Sequence, residues 1–561
     1  MFLKKIRFIL IITLFYQTPL FSKSVSLKDF NSQNLSKYFS GIVAFENKDN
    51  TEALEFFSST RILIKNHDPY LRRYLYSLVL ENKINKAINL VRSNKDRDNT
   101  NFFDAYLLLV LADLKKGDFK KAYEQLDKLT SLNGKDRFNS AILESLKQYI
   151  YVFKEKKILN DKKNFGKLSI ISETFQRCYL GDTSTNKYFS KLVYDDESNY
   201  TRYIFFYLSY LIENNRAEDV KKIIDDLDYI NTTLLLSQGK SWIENENSKK
   251  LTDVFSCKNP NDIVSEFLFL ISNIYSSQDE FEKSNFYLNL SNFLNPKFVF
   301  NLSLVAENQY LNGEYKKAKN TLKNFKKEDK FYYWYRIKKE SQIIAKQRNK
   351  KESLNYIVSQ FNKITEPNNR VLFDIANFYK NSNEYSNAIK YYTELINSLD
   401  NDSDMKSDLL YRRGGSYERS GVYEKADKDL LDALKIDPDD AYILNYLAYS
   451  WLERDHKIDE AINMLEKAYK LESNDPYIID SIGWAYYLVN DYLKAEKFIK
   501  RAVELMPEDP IVNDHYGDIL WKLNRKIQAR YFWSNVTKME NSEAEMIENI
   551  NKKIIEGLKN S

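Results

Sequence analysis

From Ser407 to Asn541 apolar residues recur every three to four positions, as on amphipathic helices, and the helices themselves recur at a longer period. Ile479, Ile482, Gly483 and Tyr486, followed by Ala495, Ile499, Ala502 and Pro507, spell a pair of helices. Gly483 and Ala495 are small, which predicts a close crossing within the pair, and Ala502 leaves room for the next pair. Asn490 and Asp491 turn the chain, and Pro507, lacking an amide hydrogen, ends the second helix. The pattern returns 34 residues later at Gly517 and Ala529, with Trp533 in the large position. Going backward it appears at Ala461 and Ala468, with Ala448 one step out of register, and again at Gly414, Tyr417, Ala426, Ala433 and Pro438.

Upstream the pattern weakens but keeps its period. Ala376, Tyr379 and Ala388 mark one pair, Ala306 and Ala318 another, and Ser272, Tyr275, Ser284 and Pro296 a third. Gly41 with Ala53, then Ala87 and Ala122, mark the N-terminal pairs. Residues 130 to 250 read as helical without a register, although Leu208, Leu211, Val220 and Leu227 are spaced like a repeat. These steps predict about ten to thirteen helical pairs in one superhelix. The chain divides into degenerate repeats over 23–250, a middle set over 251–400, a clear array over 401–541 and a terminal segment over 542–561. In that last segment Met546, Ile547, Ile550, Ile554 and Leu558 form one stripe, which reads as a capping helix or as an amphipathic tail for a partner.

The stretches YILNYLAYSWLERDHKIDEAINMLEKAYKL, YIIDSIGWAYYLVNDYLKAEKFIKRAVELMPEDP and IVNDHYGDILWKLNRKIQARYFW resemble the tetratricopeptide-repeat family. They are most similar to exported alphaproteobacterial members and, more distantly, to adaptor lipoproteins of envelope proteases. The resemblance implies an all-α, right-handed superhelical solenoid that binds proteins through its concave face. It does not extend to lipid anchoring, because no cysteine lies near the N-terminus.

Composition agrees with a helical chain: among 561 residues only 13 are glycine and 9 proline, too few for the turns of a sheet-rich fold. The N-terminal residues carry Lys4, Lys5 and Arg7 before the apolar run Phe8 to Tyr16, then Pro19, Leu20 and Ser22, which reads as a signal peptide over 1–22 and a periplasmic destination. An uncleaved membrane anchor is the other reading of that segment. The formal net charge of +5 falls near neutrality once residues 1–22 are removed, so total charge names no partner. Its distribution is uneven, with fourteen Lys or Arg against four Asp or Glu over 314–351, and 20 against 27 over 401–541. Cys178 and Cys257, 79 residues apart, could form one disulfide in an oxidising compartment or stay as two buried thiols.

The concave face is expected to be lined by first-helix residues that avoid the core: Tyr411, Tyr442, Asn445, Tyr449, Tyr477, Asp480, Trp484, Tyr487, Asp514, Asp518 and Trp521. Tyr and Trp give large contact area at low entropic cost, the aspartates suit a basic or amide-rich segment, and an amide such as Asn445 can pair with a peptide backbone in both directions. The alternative is that the aromatics pack between helices. Tyr411, Asp480 and Asp514 stand where some family members carry a cationic clamp for a C-terminal carboxylate, which excludes that mode. The basic run Lys316 to Lys351, interleaved with Phe331, Tyr332, Tyr333, Trp334 and Tyr335, reads either as solvated outer helices or as an anionic contact, and export argues against nucleic acid.

Catalysis lacks a constellation. The three histidines, His67, His456 and His515, fall in different repeats, and no metal-spaced pair, nucleophile elbow or phosphate loop occurs. No cofactor, metal or small-molecule substrate is expected. The sequence therefore reads as a non-catalytic scaffold or adaptor for proteins of the cell envelope, with possible peripheral membrane association. The alternatives are a part of an outer-membrane assembly or polysaccharide or protein export machine and, more remotely, an envelope enzyme using paired carboxylates.

Overall fold

The computed structural model describes residues 31–65, 68–94, 100–132, 137–160, 163–194, 201–399 and 404–558. The signal segment 1–22 and His67 lie outside them. The described residues form thirty α-helices, two short 3-10 turns and no strand. The chain separates into two compact units, 1–343 and 344–561.

In unit 1 the helices are α1 Ser32–Glu46, α2 Asn50–Ser59, α3 Asp68–Leu80, α4 Ile84–Ser93, α5 Phe103–Lys115, α6 Phe119–Leu132, α7 Arg137–Glu155, α8 Lys167–Leu180 and α9 Thr185–Val193. They continue with α10 Thr201–Glu213, α11 Ala217–Asp225, α12 Leu234–Glu244, α13 Lys249–Val254, α14 Pro260–Ser276, α15 Phe281–Leu294, α16 Leu302–Leu311, α17 Tyr315–Leu322 and α18 Lys330–Gln347, in which the division falls. Unit 2 holds α19 Lys350–Phe361, α20 Asn369–Asn381, α21 Tyr385–Ser398, α22 Asp404–Arg419, α23 Tyr423–Ile436, α24 Ala441–Glu453 and α25 Ile458–Leu471. It ends with α26 Pro476–Leu488, α27 Tyr492–Leu505, α28 Pro510–Lys522, α29 Lys526–Val536 and α30 Ala544–Glu556.

One backbone feature marks most of the pairs. Between the two helices of a pair a residue adopts positive φ: Gly421, Asp455, Asn490 and Asn524 in the clear array, and Lys48, Asn82, Gly117, Asp279, Gly313 and Asn383 upstream. Such a residue ends the first helix and redirects the chain within a few positions. Asn215 and Glu246 do the same between α10 and α11 and between α12 and α13, giving a register to the stretch where side-chain periodicity fails.

Small residues set the spacing within each pair. A Cβ added to Gly483 would sit 2.6 Å from Ile499 Cγ1, one on Gly517 2.3 Å from Trp533 Nε1, and one on Gly414 3.0 Å from Leu430 Cγ. Ala426, Ala461, Ala495 and Ala529 are fully buried. Pro507 follows the last residue of α27 by two positions. The first helices of the array start alike: Asp440, Asp475 and Asp509 accept hydrogen bonds from the second and third amides of α24, α26 and α28, and Pro476 and Pro510 take the first position.

Unit 2 packs pair upon pair. Unit 1 adds contacts that a neighbour-only stack lacks, because α14 and α15 return to the earlier helices. Asn289 Nδ2 donates to Val79 O at 2.9 Å and to Leu80 O at 3.1 Å. Phe286 stacks on Tyr76 at 4.8 Å, Tyr275 meets Phe138 edge-on at 4.8 Å, and Phe267 meets Tyr149 at 5.8 Å. Arg202 of α10 grips the fully buried Glu266 of α14 with two hydrogen bonds, at 2.8 and 2.6 Å. Cys178 and Cys257 are joined as a disulfide with their Cα atoms 5.6 Å apart.

The basic segment resolves into two faces. Phe331, Tyr332 and Trp334 are buried in unit 1, where Gln238 Oε1 accepts from the Phe331 amide at 3.0 Å, while Lys316, Lys323, Lys326 and Lys327 are exposed. The aromatics serve the core, so their interleaving with lysine is the outcome of helical periodicity. No described helix is long and apolar enough to cross a membrane.

Candidate functional site

The eleven residues read as a partner face all lie on α22, α24, α26 and α28, the first helices of four successive pairs. Tyr442 and Tyr477, each just after its capping aspartate, are the most exposed, at 54% and 62%. Tyr411, Asn445, Tyr449, Trp484, Tyr487, Asp514 and Trp521 are half-buried.

Neighbouring helices join these side chains into a row. Tyr411 meets Tyr446 edge-on at 5.6 Å, and the Tyr446 hydroxyl donates to Glu418 at 3.1 Å. Trp484 donates from Nε1 to Glu453 at 3.2 Å and stacks on both Tyr487, at 4.6 Å, and His515, at 4.0 Å. Burial and the adjacent Glu418 push the Tyr446 hydroxyl far above its usual range, and burial with Glu453 does the same to Tyr449. These tyrosines remain neutral donors at any physiological pH. Asn445 stands within the row, and its Oδ1 is buried with no hydrogen-bond partner among the described residues.

Two of the predicted residues must be corrected. Asp480 is 6% exposed, and its carboxylate faces His515, with Nδ1 at 3.0 Å from Oδ1. Asp518 is 5% exposed, accepting from Trp533 Nε1 at 3.0 Å and from Lys553 Nζ at 2.8 and 2.9 Å. Both carboxylates are consumed within the array because a buried charge is retained only with a partner. Asp514 also accepts from Lys553, at 2.7 Å, and Gly557 packs so closely on Trp521 that a Cβ would lie 1.9 Å from its ring. The last helix, α30, thus covers the end of the row with its own Ile550 fully buried, as a capping helix does. Burial and the neighbouring Asp514 push Asp518 up to about 6, against the pull of Lys553.

Glu418, Tyr446, Glu453 and His515 are absent from the sequence-derived face. Tyr446 follows Tyr411 by 35 residues and Glu453 precedes Tyr487 by 34, so stepping the register residue by residue would have found both. His456 stands apart on the rim of Trp451 at 5.6 Å. Among the described residues no group of His, Cys, Asp and Glu is arranged to hold a metal ion. The arrangement can hold an extended segment by aromatic contact, a side-chain amide and a few acidic groups. It presents no nucleophile with a base.

The tetratricopeptide repeat family model matches residues 335–538. A TPR repeat-containing protein of Pseudomonas aeruginosa, PA4667, is 33% identical over 110 residues, spanning 20% of this chain and 18% of that protein's length. Among solved structures, MamA of Desulfovibrio magneticus is 19% identical with a TM-score of 0.28, covering 32% of this chain and 99% of that one. TTC0263, a thermophilic TPR protein of Thermus thermophilus, is 13% identical with a TM-score of 0.30, covering 34% and 100%. Residues 335–538, with their small residues at the crossings, match the tetratricopeptide repeat family.

Proposed function

We propose that unit 2 is a non-catalytic scaffold that holds an extended segment of another protein against α22, α24 and α26, in the bacterial cell envelope. The observation that carries this is the Asn445 amide, half-buried in a row of aromatics. The Asn445 amide, whose Oδ1 is buried without a partner on the helix that carries Tyr442 and Tyr449, offers its Nδ2 to a carbonyl of a peptide backbone. The half-buried aromatics are already ordered by their neighbours, so little rotamer entropy remains to be lost on binding. Glu418 and Glu453 at the edge of the row favour a neutral or basic segment.

The envelope location rests on the N-terminal segment 1–22 and is supported by the Cys178 to Cys257 pairing, since disulfides persist in oxidising compartments. Affinity capture from envelope extracts tests the binding reading. Wild type is compared with Asn445→Ala, Tyr477→Ala and Trp484→Ala, and the captured set should shrink in all three while far-UV circular dichroism is unchanged. An identical set in every variant places the partner elsewhere. Fractionation with N-terminal sequencing tests the location, and an intact Met1 terminus in the cytoplasm would overturn it.

A further inference from the structure

Where α15 meets the turns after α1 and α3, unit 1 holds a cleft of about 470 Å³, within the size range of small-ligand sites. Its lining is dominated by side-chain amides. Helix α15 presents Asn285, Asn289 and Asn292 on one stripe, α16 presents Gln309, and the opposite wall carries Asn50 and Asn82. Asparagine is a poor helix former because its side chain competes for backbone groups, so three on one face of α15 do not serve helix formation.

Half of this amide chemistry fixes the walls, and half is left over. Asn289 spends its Nδ2 on the carbonyls of Val79 and Leu80, Asn285 Oδ1 accepts from Asn308 at 3.0 Å, and Gln309 Oε1 accepts from Thr321 at 2.8 Å. Asn289 Oδ1, Asn285 Nδ2, Gln309 Nε2 and the whole amides of Asn82 and Asn292 have no partner among the described residues. One end of each of the first three side chains is therefore locked while the other is free, which is the arrangement of a preorganised polar site.

The geometry points to a binding site for a neutral, polyhydroxylated ligand, an uncharged oligosaccharide of a few units, held by Asn82, Asn285, Asn289, Asn292 and Gln309. A hydroxyl both donates and accepts, as a carboxamide does, and a pair of adjacent hydroxyls can span the oxygen and nitrogen of one amide. Other ligand classes fit less well. Lys317 donates to Glu314 at 3.4 Å, and Lys48 donates to the neutral Asn312 amide at 2.6 Å and keeps its charge, but with Glu81 and Glu282 the carboxylates outnumber the lysines of the lining, which disfavours a phosphate. The lining contains no aromatic ring, and its only apolar residues are Leu80, Leu302 and Val305, leaving no platform for a nucleobase and no pocket for large apolar peptide side chains. This departs from the expectation that proteins are the chain's only partners.

The purified full chain is tested against a panel of neutral oligosaccharides built from glucose, N-acetylglucosamine, mannose and galactose, with an uncharged tripeptide amide alongside. Hits are titrated by saturation-transfer NMR. At least one oligosaccharide should bind, and the Asn292→Ala, Gln309→Ala double variant should weaken it tenfold or more with an unchanged thermal midpoint. If that variant is destabilised, Asn82→Gly, which preserves the turn, should weaken binding instead. The proposal is overturned if no neutral sugar binds at millimolar concentration, if binding survives these variants, or if the tripeptide amide takes the cleft and the sugars do not.

Discussion

His515 Nδ1 lies 3.0 Å from Asp480 Oδ1 and 3.1 Å from Oδ2, tying α28 to α26 through an ion pair that is more than nine-tenths buried. Burial alone would keep the imidazole neutral. The charge and hydrogen bond of Asp480 outweigh it, with Asp514 and Asp518 adding to the pull, and the proton is held above the usual 6.5. The unfolded chain lets it go near 6.5, so stability from this pair is complete below that value and is lost as pH rises through the folded value. The thermal midpoint should fall as pH rises above about 7 in wild type and stay flatter in His515→Gln. Asp518, pushed up to about 6, finishes titrating below that window. Parallel slopes in the two proteins would remove His515 as the cause.

Gly517 has no room for a methyl group because Trp533 lies against it. Gly517→Ala should destabilise unit 2 by about 1–3 kcal/mol in urea denaturation, the usual cost of overpacking a fixed crossing. Trp533→Phe, which vacates the Nε1 position, should recover part of that loss in the double variant. Purely additive effects would show that the crossing adjusts without strain.

Lys553 holds the terminal helix to Asp514 and Asp518 with its side chain 23% exposed. Lys553→Met should cost about 2–4 kcal/mol, because Asp518 is left buried with its charge unpaired. Hydrogen exchange should then quicken along α30 and leave α24 as it was. The Asp518→Asn, Lys553→Met pair should lose less than Lys553→Met alone.

Cys178 and Cys257 close a loop 79 residues long. Replacing both with serine should lower the stability of unit 1 by about 4 kcal/mol on the chain-entropy scale for a loop of that length. Urea midpoints of wild type and variant should differ without dithiothreitol and converge with it. A difference that persists under reduction would assign the loss to packing.

Gly483, Ala495, Gly517 and Ala529 are readable from sequence because close crossings recur at the repeat period, and any residue that must be small repeats with them. Tyr442 and Tyr477 are readable as exposed for the same reason. Asp480 and Asp518 read wrongly as solvent-facing because position within a helix assigns a face without naming the residue opposite. Their partners, His515 and Lys553, sit 35 residues later. The return of α15 onto α3 leaves no periodic trace, since it joins elements about two hundred residues apart through single contacts such as Asn289 to Val79. The cysteine pair is equally silent, because spacing along the chain does not encode proximity.

The closure of unit 1 also sets an order of events in time. Unit 2 can build pair by pair as each helix finds its neighbour. Helix α3 cannot complete its contacts until Asn289 has been made, 210 residues after Val79. At about 5–20 residues per second, synthesis leaves Tyr76 without Phe286 and the Leu80 carbonyl without Asn289 for roughly 10–40 seconds. The N-terminal helices therefore depend during that interval on something other than their final neighbours to stay out of aggregates, and the two units should differ most when folding is followed during translation.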